Sequence, residues 1–350
     1  MVTMKDVARH ANISEATVSR VLNGDKTFSV SDETRQRIHE AVAALGYKPI
    51  RRRKKNAPQK GGEGAEAKDW KVGLLLTSSQ EDELNDPYFM AIRLGIEKYC
   101  SLESLEIRTV VRTVGQLEED VFAGLDGILV VGGVNTAGIP EVYGEGPVVV
   151  INNMMEYDER YDKVTSDLDR AVEKMVDYLT ELGHQRIGFI GGEECLTEIP
   201  EERWSVVKDV RHAAFERKMQ LLGRYNPEDV YIGEWSAADG NRLMQEAIAK
   251  GTLPTAFLVG SDPMSIGVIH ALRAAGLRVP EDVGILSFDD IEAAQFVNPP
   301  LSTVRIDTEE MARWAVLLLK DRLEGRTHAV KVVVPSQLLV RSSCGGRNGD

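Results

Sequence analysis

The sequence predicts a small N-terminal module of three helices, the first two forming a helix-turn-helix, followed by an α/β core of two doubly wound parallel-sheet subdomains. Three observations carry this reading. Two helical signatures stand back to back within residues 2–24, short β-rich runs alternate with helical patterns from Trp70 onward, and charge divides sharply between the two parts.

In the first module Thr3 is placed to cap a helix, with Asp6 at the third helical position answering it. Val7, Ala8 and Ala11 give that helix a small apolar face, and Ala11, Asn12 and Ile13 make the turn. Ser14 then caps a second helix whose apolar positions Val18, Val21 and Leu22 recur at i, i+3 and i+4, with Gly24 as its stop. Ser31 opens a third helix on which Ile38, Val42 and Leu45 repeat at helical spacing, and Gly46 ends it. The outer face of the second helix carries Glu15, Ala16, Ser19 and Arg20.

A helix of this width fits the major groove of double-stranded DNA, where arginine is shaped to take both acceptors of guanine. Arg20 is therefore the base-reading candidate. Ser14, Thr17, Ser19 and Asn23 bring short donors for phosphates or base edges, and Lys5 adds a charge contact. An ordinary amphipathic helical pair would account for the apolar spacing, but not for the caps, the short turn and the outward arginine together.

Charge supports the same division. Up to residue 60 the chain has 13 Lys and Arg against 6 Asp and Glu; beyond it, 29 stand against 49. The basic end neutralises phosphates and the acidic remainder repels nucleic acid, which confines DNA contact to the N-terminal arm. Between the two parts, Arg51 to Lys55 form an unbroken basic run leading into Pro58, Gly61, Gly62 and Gly64. This reads as a linker, either a solvated basic tether or a structured phosphate-binding arm, in which Arg51, Arg52 and Arg53 raise DNA affinity without choosing sequence.

In the core, KVGLLLTS, GILVVGG, PVVVINN, RIGFIGG, AFLVGS and VGILSFDD read as buried parallel strands. YFMAIRLGIEKYC, DRAVEKMVDYLTELG, GNRLMQEAIAK and MSIGVIHALRAAG read as the helices between them. In open sheets of this kind a ligand lies at the carboxyl ends of the strands, which is where polar residues cluster here. Cys100, Cys195 and Cys344 are widely spaced and odd in number, so they suggest neither a disulfide framework nor a zinc site. The histidines lack a metal-ligand rhythm, and no Walker A loop, G-x-G-x-x-G after a strand, H-E-x-x-H or G-x-S-x-G is present. No cofactor, metal or catalytic residue is expected. With no secretory apolar segment and no membrane-length run, the expected location is the cytoplasm, with no membrane partner.

TMKDVARHANISEATVSRVLN resembles the N-terminal headpiece of the lactose-repressor (LacI/GalR) family of bacterial transcription regulators along its whole length. In that family the first two residues of the recognition helix help choose the operator, which here points to Glu15 and Ala16. LGHQRIGFIGG, GEWSAADG, VGSDPMSIG, LRVPEDVGILSFDD and PPLSTVRID match, in order, the family's effector-binding core, which is periplasmic-binding-protein-like: two α/β subdomains, a cleft, and three chain crossings. The resemblance implies a helix-turn-helix domain over 1–48, a linker over 49–69, a core over 70–343 and a tail over 344–350. Subdomain one would take 70–165 and 305–334, subdomain two 166–304 and 335–343, with crossings near Ser166, Val304 and Pro335. More narrowly, ELNDPYFMAIRLGIE and the shortened hinge resemble the repressors of galactan utilisation and of an evolved β-galactosidase. The chain departs from the family in its linker, which lacks the Ala-Arg-x-Leu hinge whose leucine wedges into the operator's minor groove.

A sugar cleft needs paired donors and acceptors for vicinal hydroxyls and an aromatic plane for the ring's apolar face. Asp289 follows the strand VGILSF and can accept two hydroxyl protons, while the neighbouring Asp290 suits a cap for the next segment. The resemblance places Arg211 as the arginine that reaches sugar hydroxyls and Trp235 as the aromatic against the pyranose. Ser261 and Asp262 follow AFLVG, Asn152 ends PVVVI, and Asp86 and Tyr88 open the first core helix. Asp262 could equally cap a helix, Trp235 could belong to the core, and Arg211 could pair with Asp209 or Glu216. Pro263 and Ile306 stand where the lactose repressor presents amides, which implies a different hydroxyl pattern or a longer ligand.

Together these features predict a DNA-binding transcriptional regulator, a repressor of sugar utilisation that a small sugar effector, a β-galactoside or galacto-oligosaccharide, releases from double-stranded operator DNA. Two headpieces reading a palindrome require a homodimer, and the tail after Arg341 has no leucine heptad for a tetramer. A glycosidase would instead turn over a nitrophenyl glycoside, and a non-regulatory sugar-binding protein would have no promoter affinity. If Arg20 reads a guanine, Arg20→Ala costs about 1–3 kcal/mol per contact and relaxes preference at one symmetric pair of operator positions. Binding to a library of single-base operator variants checks this; a loss uniform over all sequences marks a phosphate contact instead.

Overall fold

A computed structural model describes residues 4–11, 13–14, 17–18, 21, 32–45, 69–113, 117, 121–153, 158–201 and 203–345. The chain divides into two compact units, residues 1–67 and 68–350.

In the N-terminal unit, α1 (Met4–Ala11) and α2 (Asp32–Leu45) flank a segment in which Thr17, Val18 and Val21 are helical. Val7, Ala8, Ala11, Val18, Val21, Ile38 and Ala41 form its apolar centre, with Ile13 and Val42 packed against it. Alanine at three of these positions lets short helices approach closely enough to exclude water. Ile13 N–H donates to the Ala8 carbonyl at 2.9 Å, and Arg37 Nη2 donates to the Ala11 carbonyl at 2.5 Å, so two of the carbonyls that the end of α1 leaves open are satisfied. Ser14 Oγ accepts from Thr17 N–H at 3.2 Å, the bond a helix-capping serine makes. Thr3, Asn12, Leu22, Gly24, Ser31 and Gly46 lie outside the described residues.

The second unit holds two six-stranded sheets. The first comprises β1 (Trp70–Leu76), β2 (Leu105–Arg112), β3 (Gly127–Val131), β4 (Val148–Ile151), β5 (Asp162–Ser166) and β13 (Lys331–Val334), parallel in the order β13-β5-β4-β3-β1-β2. The second comprises β6 (Ile187–Gly192), β9 (Val230–Gly233), β10 (Ala256–Val259), β11 (Gly284–Asp289), β12 (Ser302–Arg305) and β14 (Gln337–Leu339). Its order is β14-β12-β11-β10-β6-β9, and β14 alone runs antiparallel, against β12.

Both sheets are apolar on both faces, as strands flanked by helices must be. Val72, Leu74 and Leu76 of β1 pack with α4 (Pro87–Glu103), which follows the short α3 (Gln80–Asn85), and with α10 (Thr308–Leu323), whereas Leu75, Ile128, Val130 and Val148 meet Phe122 and, on α5 (Ile139–Val142), Ile139 and Val142. In the second sheet Phe189, Leu258 and Phe288 share a cluster with α6 (Leu168–Glu181) and α7 (Val210–Leu221). Ile190, Phe257, Val259 and Ile285 pack with α8 (Ala237–Ala249) and α9 (Asp262–Ala274).

The chain leaves the first sheet after Ser166 through α6, returns after Arg305 through α10, and crosses again between Val334 and Gln337. Two of these passages are laced together, because Asp167 Oδ1 accepts from Ser336 N–H at 2.6 Å and Ser336 Oγ at 2.5 Å. A two-stranded antiparallel hairpin, β7 (Glu194–Glu198) and β8 (Arg203–Val207), follows β6. No described helix is long and apolar enough to cross a membrane.

β5 carries Asp162 and Lys163, yet every residue in it is buried. Asp162 is fully enclosed and accepts from Arg326 Nη1 at 2.9 Å, Arg326 Nη2 at 2.6 Å and Val330 N–H at 2.6 Å. The pair fastens the end of α10 and the start of β13 to the first sheet. Asp162→Ala leaves a guanidinium that is 12% exposed without its carboxylate, and the expected loss is about 3–5 kcal/mol. Urea denaturation measures it; a loss below about 1 kcal/mol shows that water replaces the pair.

Candidate effector cleft and DNA-reading headpiece

In the headpiece, exposed Ser14 and partly buried Thr17 meet at the start of the second helical segment, their hydroxyls 2.8 Å apart. Lys5 lies within α1. Glu15, Ala16, Ser19, Arg20, Asn23, Arg51, Arg52 and Arg53 lie outside the described residues.

In the core, the carboxyl ends of strands from both sheets border one cleft of about 670 Å³. Thr77 and Ser78 follow β1, Gly133 follows β3, Asn152 follows β4, Glu193 follows β6, Trp235 follows β9, Ser261 follows β10 and Asp289 ends β11. Parallel strands leave their carboxyl ends on one edge, so two such sheets meeting there concentrate loop residues around a shared space.

Asp86, Tyr88 and Asn152 come from the first sheet's side. Asp86 caps α4 by accepting from Tyr88 N–H at 3.0 Å, and the Tyr88 hydroxyl donates to Asn152 Oδ1 at 2.9 Å. Burial pushes the Asp86 carboxyl and the Tyr88 hydroxyl upward, and for Tyr88 the Asp289 carboxylate adds to it. Asn152 and Asp289 sit at strand ends with φ of 56° and 104°. Non-glycine residues seldom adopt these values, and such strain gathers at functional sites.

Arg211, Trp235, Ser261 and Asp289 face them from the second sheet's side. Arg211 is pinned: Nε and Nη2 donate to the two Asp209 carboxylate oxygens at 2.9 Å each, and Nη1 donates to the Gly260 carbonyl at 2.9 Å. Burial works against its charge, but the carboxylates of Asp209, Asp289 and Glu194 outweigh it and hold the guanidinium protonated. Three of its five N–H groups are thus engaged. Burial raises Asp289 well above the carboxylate range, with Asp86 and Asp262 adding to the shift and Arg211 opposing it.

Three expectations require correction. Asp262 does not face the cleft; it is fully buried, accepting from Ile291 N–H at 2.9 Å and Thr303 Oγ1 at 2.8 Å, while its own N–H donates to Asp289. The cap of α9 is Ser261, whose hydroxyl accepts from Met264 N–H at 3.4 Å. Asp290 caps nothing and instead pairs with Arg305 at 2.8 Å and Arg341 at 2.5 Å. Trp235 borders the cleft, but the Arg211 guanidinium lies 4.2 Å from its ring centroid and stacks on it. Its Nε1 donates to the Glu193 carbonyl at 2.8 Å, and a Cβ at Gly192 or Gly260 would meet the ring at 2.4 or 2.8 Å. Trp235 therefore serves as the platform on which Arg211 rests. Ile306 lines the cleft, whereas Pro263 is buried at the first turn of α9.

Among the lining residues that escaped the sequence reading, two bring a ring and a buried charge to the cleft. Phe89 brings an aromatic ring to the cleft, set edge-on to Tyr88 with centroids 5.4 Å apart. Glu194, the first residue of β7, brings a further carboxylate that burial pushes up to about 7. The only signal for either was position, one residue past Tyr88 and two past the strand RIGFIGG.

The N-terminal residues 3–49 match the family model of bacterial regulatory proteins, lacI family, and residues 176–344 match that of the periplasmic binding protein-like domain. The chain is 40% identical over 347 residues to the HTH-type transcriptional repressor MelR of Bacillus subtilis (strain 168), covering 99% of this chain and 98% of that one. It is 32% identical over 358 residues to the HTH-type transcriptional regulator GanR of the same strain, covering 98% and 99%. Among solved structures it is similar to the transcriptional regulator CelR–cellobiose complex, with a TM-score of 0.65 at 25% identity over 98% of this chain and 100% of that one. The chain is thus a DNA-binding transcriptional regulator, not an enzyme. It belongs to the lacI family.

The raised carboxyl of Glu194 makes a stability prediction. Folding favours its protonated form, so its contribution is fully present below about pH 4.5 and is lost as pH rises toward about 7. Comparing thermal midpoints from pH 4 to 8, Glu194→Gln is expected to gain on the parent over that window and to keep a constant lead above it. A difference that does not change with pH shows that the group is solvated.

Proposed function

We propose that the chain is a sugar-responsive repressor, working in the cytoplasm as a homodimer whose two headpieces hold double-stranded operator DNA while the clefts are empty. A neutral sugar of the β-galactoside or galacto-oligosaccharide class binds the cleft and releases the DNA. The observation that carries this reading is the set of hydroxyl-matching groups facing one another across the cleft. Asp289 and Arg211 stand on one side, and Asp86, Tyr88 and Asn152 on the other.

The cleft's charge favours an uncharged ligand. Its lining includes Glu81, Asp82, Asp86, Glu193, Glu194, Asp209, Glu234 and Asp289 against one cation, Arg211, itself neutralised by Asp209. A sugar phosphate or nucleotide would bring negative charge into that field. Phe89, Leu168 and Ile306 supply apolar surface for the ring faces of a sugar. The cellobiose bound to CelR is of the same uncharged class.

Ligand binding acts on DNA only through different affinities for two core conformations. The test is fluorescence anisotropy of the protein on DNA from upstream of its own gene, titrated with galactobiose, melibiose, cellobiose and a sugar phosphate. Release by a neutral disaccharide but not by the phosphate is expected, together with loss of release in Asp289→Asn and Arg211→Ala. DNA affinity indifferent to every neutral sugar overturns the reading; release from either variant at the parent's sugar concentration removes that residue from the site.

A further inference from the structure

The β7–β8 hairpin has a consequence for the cleft. It springs from β6 of the second sheet, yet it is bonded to the loop that follows β3 of the first. Thr197 N–H donates to the Gly133 carbonyl at 2.9 Å, Asn135 N–H donates to the Thr197 carbonyl at 2.9 Å, and Asn135 Nδ2 donates to Glu198 Oε2 at 2.8 Å. Beyond β7, Ile199 is buried in the first sheet's apolar cluster beside Leu117, Val134 and Ile139. The fit is close enough that a Cβ at Gly133 would lie 2.8 Å from the Cys195 carbonyl oxygen. At its root, the Glu193 carbonyl is held by Trp235, on which Arg211 stacks. The hairpin is therefore a strap fastened to both subdomains, and Glu194 and Thr197 of its first strand line the cleft between them.

Glu194 is the part of the strap with no internal task. Among the described residues its carboxylate accepts no hydrogen bond, although it lies partly buried in a site where every other buried acid has a donor. The charged and titratable groups around it are Arg211 and Asp209 at the start of α7, Tyr88 on α4, and its own neighbours Glu193 and Cys195. A desolvated carboxylate lacking donors is costly, and sugar hydroxyls are donors of the right kind.

We propose that Glu194 is a specificity-determining residue of the effector cleft, its carboxylate accepting hydroxyl protons of a neutral sugar from a strap fastened to both subdomains. This rests on the sugar reading above. Because the strap fixes where Glu194 stands relative to Asp289 and Asp86, the three acceptors select among hydroxyl patterns instead of adapting to each. Ionised Glu194 accepts two hydroxyl protons and its protonated form fewer, so affinity increases as pH rises through about 7.

Isothermal titration of the full chain with galactobiose, melibiose, cellobiose, galactose and glucose at pH 6, 7 and 8 tests this. For the sugar the parent binds best, Glu194→Gln is expected to weaken affinity roughly tenfold or more at pH 8 and to flatten the pH profile. Glu194→Ala does the same and narrows the parent's discrimination among the five sugars. The isosteric glutamine variant carries the test if the alanine variant does not give a cooperative melt. Parent-like affinity, discrimination and pH profile in Glu194→Gln overturn the inference and leave the sugar reading standing. A parent that titrates with none of the sugars overturns both.

Discussion

A buried guanidinium has to be paired on every side or the fold pays several kcal/mol for its desolvation, and the cleft is built around one. Arg211 takes both oxygens of Asp209, the carbonyl of Gly260 and the face of Trp235. Each partner sits at a different structural boundary: the cap of α7, the end of β10 and the end of β9. Gly192 and Gly260 lack side chains where the indole lies, so the ring can rest on the ends of β6 and β10 and present a surface to the guanidinium. One cation thus sets the relative position of three strand ends and one helix start, and that packing holds the guanidinium in one orientation at the cleft.

Charge in the cleft then follows from the surplus of acids around this single cation. Asp289, Asp86 and Glu194 all have carboxyls raised by burial, and the charge of Asp86 further disfavours the ionisation of Asp289. A site of this kind disfavours any further negative charge, and an uncharged polyhydroxyl ligand adds none. The left-handed backbone at Asp289 belongs to the same arrangement. An extended residue there would continue β11, whereas the reversal ends the strand with its carboxyl beside Asp86 and Arg211.

How much of this the sequence disclosed depended on whether a residue's partner lay nearby in the chain. The capping role of Ser14 was legible because cap and apolar repeat sit within one helical turn, and so were the strands of unbroken apolar residues such as GILVV. β5 was hidden because Asp162 and Lys163 look like surface until Arg326, far along the chain, is seen to neutralise the aspartate. β2 alternates buried and exposed residues at a sheet edge and carries two arginines and a glutamate. Asp262 and Trp235 were correctly placed at strand ends, but which way each side chain turns is set by Thr303, Ile291 and Arg211, remote partners that no local pattern names. Glu194 stands in a charged stretch that reads as loop, and only the hairpin's attachment to the first subdomain gives it a fixed place.

That attachment limits how the core can move. Asp167 and Ser336 lace two of the three crossings into a pivot, while the strap joins the subdomains again through Thr197 and Ile199. Freeing the strap would break three backbone hydrogen bonds, Thr197 to Gly133, Asn135 to Thr197 and Leu117 to Pro200, at about 0.5–1.5 kcal/mol each, and expose Ile199 at a further ~1.5–3 kcal/mol. The sum, about 3–7.5 kcal/mol, exceeds the 1–3 kcal/mol of a typical allosteric coupling. A typical coupling free energy therefore leaves the strap attached. With the strap attached, the subdomains can rotate only as far as Gly133 and Asn135 keep hold of Thr197, and within that range a change at the cleft reaches both sheets together. A ligand that touches Asp289 on one sheet, Asp86 on the other and Glu194 on the strap contacts all three bodies whose relative positions distinguish the states, which is the condition for a ligand to bind them unequally.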